Sequence, residues 1–194
     1  MEQPKRKYDL LMIGGSAGSL SMVMKLLPLI RRRDELAIIM VFHRKKSDET
    51  TLIEVLLRKT GFQVKEAEEK DFLEPGTIYI APADYHLLIE RDHTITLDDS
   101  EKVNHSRPSI DVSFESAADV YGPSLACLLL SGANADGAEG LLKAKEKGSL
   151  ILVQDPRTAE VPFMPERAIE TVEVDFIVTA ENFLESPLMR GVEE

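Results

Sequence analysis

Leu10-Leu11-Met12-Ile13-Gly14-Gly15-Ser16-Ala17-Gly18-Ser19 decides the fold. The unbroken apolar run Leu10–Ile13 reads as a strand buried on both faces of a parallel sheet. Beyond it, Leu20, Val23, Met24, Leu26, Leu27 and Ile30 recur at spacings of three and four, as on a helix with one buried face. The hexapeptide Gly14 to Ser19 is therefore a strand-to-helix turn, with glycines that tolerate positive φ and close backbone approach. Three readings compete for it. Gly14-Gly15-Ser16-Ala17-Gly18 matches G-x-S-x-G, the pattern of a nucleophile on a sharp turn. A phosphate cradle would need a Lys-Ser/Thr pair or a dinucleotide fingerprint, and both are absent. The third reading is a plain tight turn with Ser16 as a helix cap.

Working outward, the same alternation continues. Ala37–Phe42 is a second buried strand, ending at His43, and Thr51–Lys59 is a helix with Leu52, Val55 and Leu56 inward and Gly61 as its stop. Phe62–Glu66 is a short strand. Leu73-Glu74-Pro75-Gly76 is a turn signal leading into a strand at Thr77–Ile80. Tyr85–Glu90 and Thr94–Leu97 read as an antiparallel hairpin. Pro108 opens a helix through Tyr121, and Leu125–Leu130 is the clearest strand of the second half. It runs into Ser131-Gly132-Ala133-Asn134-Ala135-Asp136-Gly137 and a helix over Ala138–Lys147, stopped by Gly148. Leu150–Val153 is a strand, Met164–Glu170 a short helix, and Phe176–Val178 a last apolar stretch; the tail from Glu181 carries no readable pattern. This is an α/β chain: a doubly wound, three-layer α/β/α arrangement with a mostly parallel sheet and one antiparallel hairpin. With no repeat, linker or low-complexity tract, residues 1–194 read as a single domain.

Composition narrows the partners. A net charge of −11 argues against nucleic acid or an anionic membrane. Arg31-Arg32-Arg33 reads as a solvated helix end. The lone cysteine, Cys127, sits in an apolar run as a small core residue, and a chain with one cysteine forms no internal disulfide. No apolar run reaches the length of a membrane span and the polar start is no signal peptide, so a cytoplasmic location is expected.

In open parallel sheets ligands bind beyond the carboxyl ends of the strands. Three polar residues stand at such ends: Ser16, His43 and Asp136. A nucleophile, an imidazole base and a carboxylate that orients it are what acyl transfer requires. Each has a plain alternative, since His43 could be a satisfied strand-end histidine and Asp136 could cap the helix opened by Gly137. The order Ser, His, Asp differs from the Ser, Asp, His of α/β-hydrolases.

At these residues the chain resembles the catalytic domain of the chemotaxis protein-glutamate methylesterases (CheB type). Ile13–Gly18 is similar to that family's serine loop and Phe42-His43 to its histidine segment. Pro75–Pro82 with His86-Leu87, Asn104–Asp111, Ser131–Ala138, and Gln154-Asp155 with Met164–Ile169 resemble later family segments in order. The resemblance implies a Ser-His-Asp esterase that hydrolyses glutamyl methyl esters on the cytoplasmic helices of chemoreceptors and releases methanol. Deamidation of glutamine is a second implied activity. It implies Ser16 as nucleophile, His43 as base, Asp136 as orienter and no cofactor or metal. Gly15, Ala17 and Ala133 stand where substrate or an oxyanion would be held, with Arg44 and Arg107 as further pocket residues; Arg107 and His86, which could also be structural, rank below the triad. A separate response-regulator protein is a further partner the family allows, because no receiver domain precedes the serine loop.

Three departures flank the triad: the serine loop ends Gly18-Ser19 rather than Gly-Gly, Phe42 and Lys45 replace a Gln and a Pro around His43, and Ala133-Asn134 replaces Met-Gly. They leave other functions open, namely an esterase for a different substrate or a weakly active binding module of a chemosensory pathway. A nucleotide-binding protein is a distant further reading. Arg44-Lys45-Lys46 is expected to form a positive rim for an acidic receptor helix.

Overall fold

The computed structural model describes residues 7–31, 34–44 and 49–190, so Arg32, Arg33, Lys45 and Lys46 of the two basic stretches lie outside the described residues. Seven parallel strands form one sheet in the order β3-β4-β2-β1-β7-β8-β9. They are β1 (Leu10–Gly15), β2 (Ala37–Phe42), β3 (Gln63–Glu66), β4 (Thr77–Ile80), β7 (Leu125–Leu129), β8 (Leu150–Gln154) and β9 (Phe176–Val178). β1 pairs with β2 on one side and β7 on the other, with Met12 opposite both Ile39 and Cys127. The remaining strands, β5 (His86–Ile89) and β6 (Ile95–Asp98), make a separate antiparallel hairpin. Cys127 is fully buried, as its apolar setting requires.

Successive side chains of a strand face opposite ways, so each central strand supplies two cores. Leu10, Met12, Ile39, Val41, Cys127 and Ile151 pack under the hairpin and under α3 (Ile110–Tyr121), α4 (Ala138–Glu146) and α5 (Phe163–Thr171). Leu11, Ile13, Ile38, Met40, Ala126 and Leu128 pack on the other face, against α1 (Ser19–Leu26) and α2 (Glu49–Leu57). This is the expected three-layer arrangement. No helix among the described residues is long and apolar enough to cross a membrane.

Two sequence expectations are corrected. The first helix begins at Ser19 and passes at Leu27 into a 3₁₀ turn, rather than running regularly to Ile30. Pro28 brings no N–H to the ladder, so the regular helix ends before it. Ser16 does not cap that helix: Gly18, at φ 76°, is the N-cap with no side-chain bond, and Ser19 Oγ donates back to the Ser16 carbonyl at 2.7 Å. The tail, which carries no readable pattern in the sequence, is anchored by Phe183 and Leu188, both fully buried in the second core.

Candidate active site

The chain enters the sheet at β1, turns to β2 on one side and later crosses to β7 on the other, which makes the carboxyl end of β1 a topological switch point. Ser16 follows β1, His43 follows β2, and Asp136 lies on the loop after β7. Backbone bonds lock these ends together: Ser16 N–H donates to the Ser131 carbonyl at 2.9 Å and His43 N–H to the Gly15 carbonyl at 3.3 Å. The Ser131 hydroxyl donates to the Ala17 carbonyl at 2.7 Å and accepts from Val161 N–H at 2.9 Å, tying the serine turn to the loop before α5.

His43 Nε2 lies 2.7 Å from Asp136 Oδ2, with Asp136 fully buried. The second acceptor site of Oδ2 takes Ile110 N–H at 2.7 Å, while Oδ1 takes Asp111 N–H and the Ser109 hydroxyl, each at 3.0 Å. Burial alone would raise the pKa of this carboxyl. The His43 bond and the N–H groups of Asp111 and Ile110 outweigh it and hold Asp136 below its ordinary value. These donors are the first turn of α3, where the partial positive charge of a helix sits. Asp136 is thus a helix cap, but of α3 rather than of the α4 that follows it, whose N-cap is Gly137 without a side-chain bond.

The arrangement is reciprocal. Asp111, in the first turn of α3, accepts from Gly137 N–H at 2.9 Å and Gly140 N–H at 2.6 Å, at the start of α4. The helices cross closely at Gly140, where an added Cβ would come within 2.8 Å of the Asp111 Cα. Burial, and next the charge of Asp136, push the Asp111 carboxyl up to about 6 against the pull of those N–H donors. Asn104 Nδ2 bridges the two acids, 2.7 Å from Asp111 Oδ2 and 3.5 Å from Asp136 Oδ1.

An ionised Asp136 fixes the proton of a neutral His43 on Nε2, leaving Nδ1 as an acceptor. Asn134 agrees: its Oδ1 accepts Asp136 N–H at 3.1 Å, which turns its NH₂ toward His43 Nδ1 at 3.4 Å. Ser16 and His43 line one groove of about 400 Å³ with Ser19, Leu20, Phe42, Arg44, Thr51, Leu52 and Val55. The Ser16 hydroxyl has no hydrogen-bond partner among the described residues. The site therefore offers a half-buried serine, a histidine lining the same groove, and a buried carboxylate bonded to that histidine.

The other expected residues divide. The N–H groups of Ala17 and Ala133, flanking Ser16 from both loops, meet no backbone carbonyl among the described residues. Gly15 is spaced for packing, since an added Cβ would stand 2.5 Å from the Ser19 Cβ. Arg107 is outside the Ser16 groove: it binds Asp84 Oδ1 at 2.9 Å and the carbonyls of Asp99 and Ser100 at 2.8 Å, and lines a neighbouring groove beyond His43. Arg44 is no solvated rim, with only 7% of its side chain exposed. His86 is buried with both ring nitrogens used, Nε2 by the Glu101 carbonyl at 2.8 Å and Nδ1 by Ser109 N–H at 3.1 Å, so it is no candidate base. Ser109, Ile110 and Asp111, the partners of Asp136, escaped sequence reasoning as site residues; their segment carried only the family likeness.

Comparison with known proteins identifies the family. The family model described as CheB methylesterase matches residues 11–186. A putative protein-glutamate methylesterase/protein-glutamine glutaminase of Leptospira interrogans is 43% identical over 178 residues, which cover 92% of each chain. The protein-glutamate methylesterase/protein-glutamine glutaminase 2 of Methanosarcina mazei is 33% identical over 88% of this chain, which spans 48% of that longer relative. The crystal structure of the Thermotoga maritima CheB methylesterase catalytic domain superposes with a TM-score of 0.89 at 29% identity, covering 96% of this chain and all of that one. Fold, strand-end site and relatives converge, and the chain belongs to the CheB methylesterase family.

Proposed function

We propose that this chain is a serine hydrolase of methylated chemoreceptors, cleaving glutamyl γ-methyl esters to glutamate and methanol and, at the same site, deamidating glutamine. The observation that carries the reading is the 2.7 Å bond from His43 Nε2 to a buried Asp136, with His43 and Ser16 lining one groove.

Ser16 Oγ attacks the ester carbonyl as its proton passes to His43 Nδ1. Asp136 stabilises the imidazolium without taking its proton. The negative oxygen of the tetrahedral intermediate is met by the N–H groups of Ala17 and Ala133, a donor pair of the kind worth about 3 kcal/mol each to such intermediates. Collapse breaks the C–O bond to the methoxy group, which leaves as methanol with the proton from Nδ1, and a glutamyl ester of Ser16 remains. Water then attacks that ester, gives its proton to Nδ1, and the serine oxygen recovers it on release of glutamate. The apolar side chains Leu20, Phe42, Leu52 and Val55 suit the aliphatic stem and methyl group of an uncharged ester better than a free carboxylate.

The test is methanol release from radiolabelled methylated chemoreceptors by the protein and by Ser16→Ala. Removal of a serine nucleophile costs about 10⁶-fold in kcat, so release falls to background in the variant. Equal release by both proteins refutes Ser16 as nucleophile; none from either refutes the methylesterase reading.

A further inference from the structure

Arg44 is the one group of the site whose chemistry the esterase reading leaves unused. Its side chain is 7% exposed, and Nη2 donates to the Ala81 carbonyl at 3.1 Å and to Glu66 Oε2 at 3.3 Å. Its Nε and Nη1 are buried and have no hydrogen-bond partner among the described residues. Buried donors without partners are uncommon in native proteins and carry a full desolvation cost, the more so on a cation.

Arg44 lines both grooves that join at His43, the apolar one with Ser16 and a second one of about 370 Å³. The second groove is lined also by Ala83, Asp84, Lys102, His105, Ser106 and Arg107. Arg44, Lys102 and Arg107 bring three positive charges; Asp84 brings one negative charge, and it already binds Arg107. Glu66 offsets Arg44 from behind. On a chain with net charge −11 this is a local reversal of sign, placed next to the base.

We propose that this second groove is a carboxylate subsite, in which Arg44 and Lys102 hold an acidic side chain of the same peptide that presents its ester to Ser16. The inference rests on the esterase reading and adds to it a substrate class: esters with acidic neighbours. A chain lying across His43 occupies both grooves at once, its neutral methylated glutamyl group on the apolar side and a charged glutamyl group on the cationic side.

Two synthetic helical peptides test this, each with one glutamate γ-methyl ester. One carries glutamates at the positions one, three and four residues either side of the ester, the other glutamines. The protein is expected to favour the glutamate peptide about tenfold in kcat/KM, with the difference in KM, as for a charge-assisted bond made equally in ground and transition states. Arg44→Met, which keeps the apolar stem, brings the ratio close to one. Lys102 is exposed, so Lys102→Glu folds whatever becomes of the Arg44 variant, and it lowers or inverts the ratio. Methanol release from both peptides at equal KM overturns the subsite alone. A preference that survives Lys102→Glu and Arg44→Met also overturns it. Release from neither peptide overturns the esterase reading and the subsite with it.

Discussion

Replacing Asp136 by Asn changes one oxygen to an NH₂ group, and the structure leaves no harmless place for it. Oδ2 accepts from His43 Nε2 and Ile110 N–H; Oδ1 accepts from Asp111 N–H and the Ser109 hydroxyl. Whichever position the new NH₂ takes, it faces a backbone N–H that loses its acceptor. That orphaned donor costs about 1–3 kcal/mol, and removing the anion from the α3 N-terminus adds about 1 kcal/mol. For a domain of this size the sum lowers Tm by roughly 4–16 °C, at about 2–4 °C per kcal/mol. Activity falls further. An NH₂ at the Oδ2 position turns His43 to the tautomer with its proton on Nδ1, which cannot take a proton from Ser16. The comparable change in a serine protease triad lowers kcat about 10⁴-fold. Thermal unfolding and methanol release, measured on the same preparations, read both effects. The depressed Asp136 carboxyl contributes stability above its unfolded pKa of about 3.9 and loses it as pH falls through the lower folded value. The Tm gap between the two proteins is therefore flat above about pH 6, where Asp111 is ionised in both, and the part due to Asp136 itself is lost only in strong acid. An Asp136→Asn protein with unchanged Tm, or with kcat within tenfold of the parent, refutes this account of the site.

Two further outcomes follow from the α3–α4 crossing. Gly140→Ala puts a methyl group 2.8–2.9 Å from the Asp111 backbone and Phe114 Cβ. It forces the helices apart at a cost of about 1–3 kcal/mol, seen as a lower urea midpoint and, because α3 carries the donors to Asp136, a lower kcat. Asp111, raised to about 6, works in the opposite sense to Asp136. Its folded pKa lies above the unfolded value, so the parent loses stability relative to Asp111→Asn as pH rises from about 4 to about 6, with a plateau above. Differential Tm across pH 4 to 8 checks the sign, and a gap that widens in the parent's favour over that interval contradicts it.

The central sheet was legible because parallel strands buried on both faces are written as unbroken apolar runs, as in Leu10–Ile13 and Leu125–Leu130. Strand-end logic brought Ser16, His43 and Asp136 to one edge without any pairing information. The sequence was silent where meaning depends on contacts between distant residues. Asp136 looked like a cap for the helix that follows it, and its true partners lie 25 to 27 residues earlier. Arg44 looked like the start of a solvated charge run, because nothing local shows that the Ala81 carbonyl and Glu66 stand over it. Phe183 and Leu188 were hidden by polar neighbours in a tail whose burial is decided by the second core.

The exchange of acids between α3 and α4 has a consequence for how such a site ages. Asp136 holds the start of one helix and Asp111 the start of the other, so each is kept by the fold whether or not any ester is ever cleaved. Ser16, whose hydroxyl holds nothing in place, is under no such constraint. In a lineage that stopped turning over substrate, the serine would drift first and the aspartates would stay.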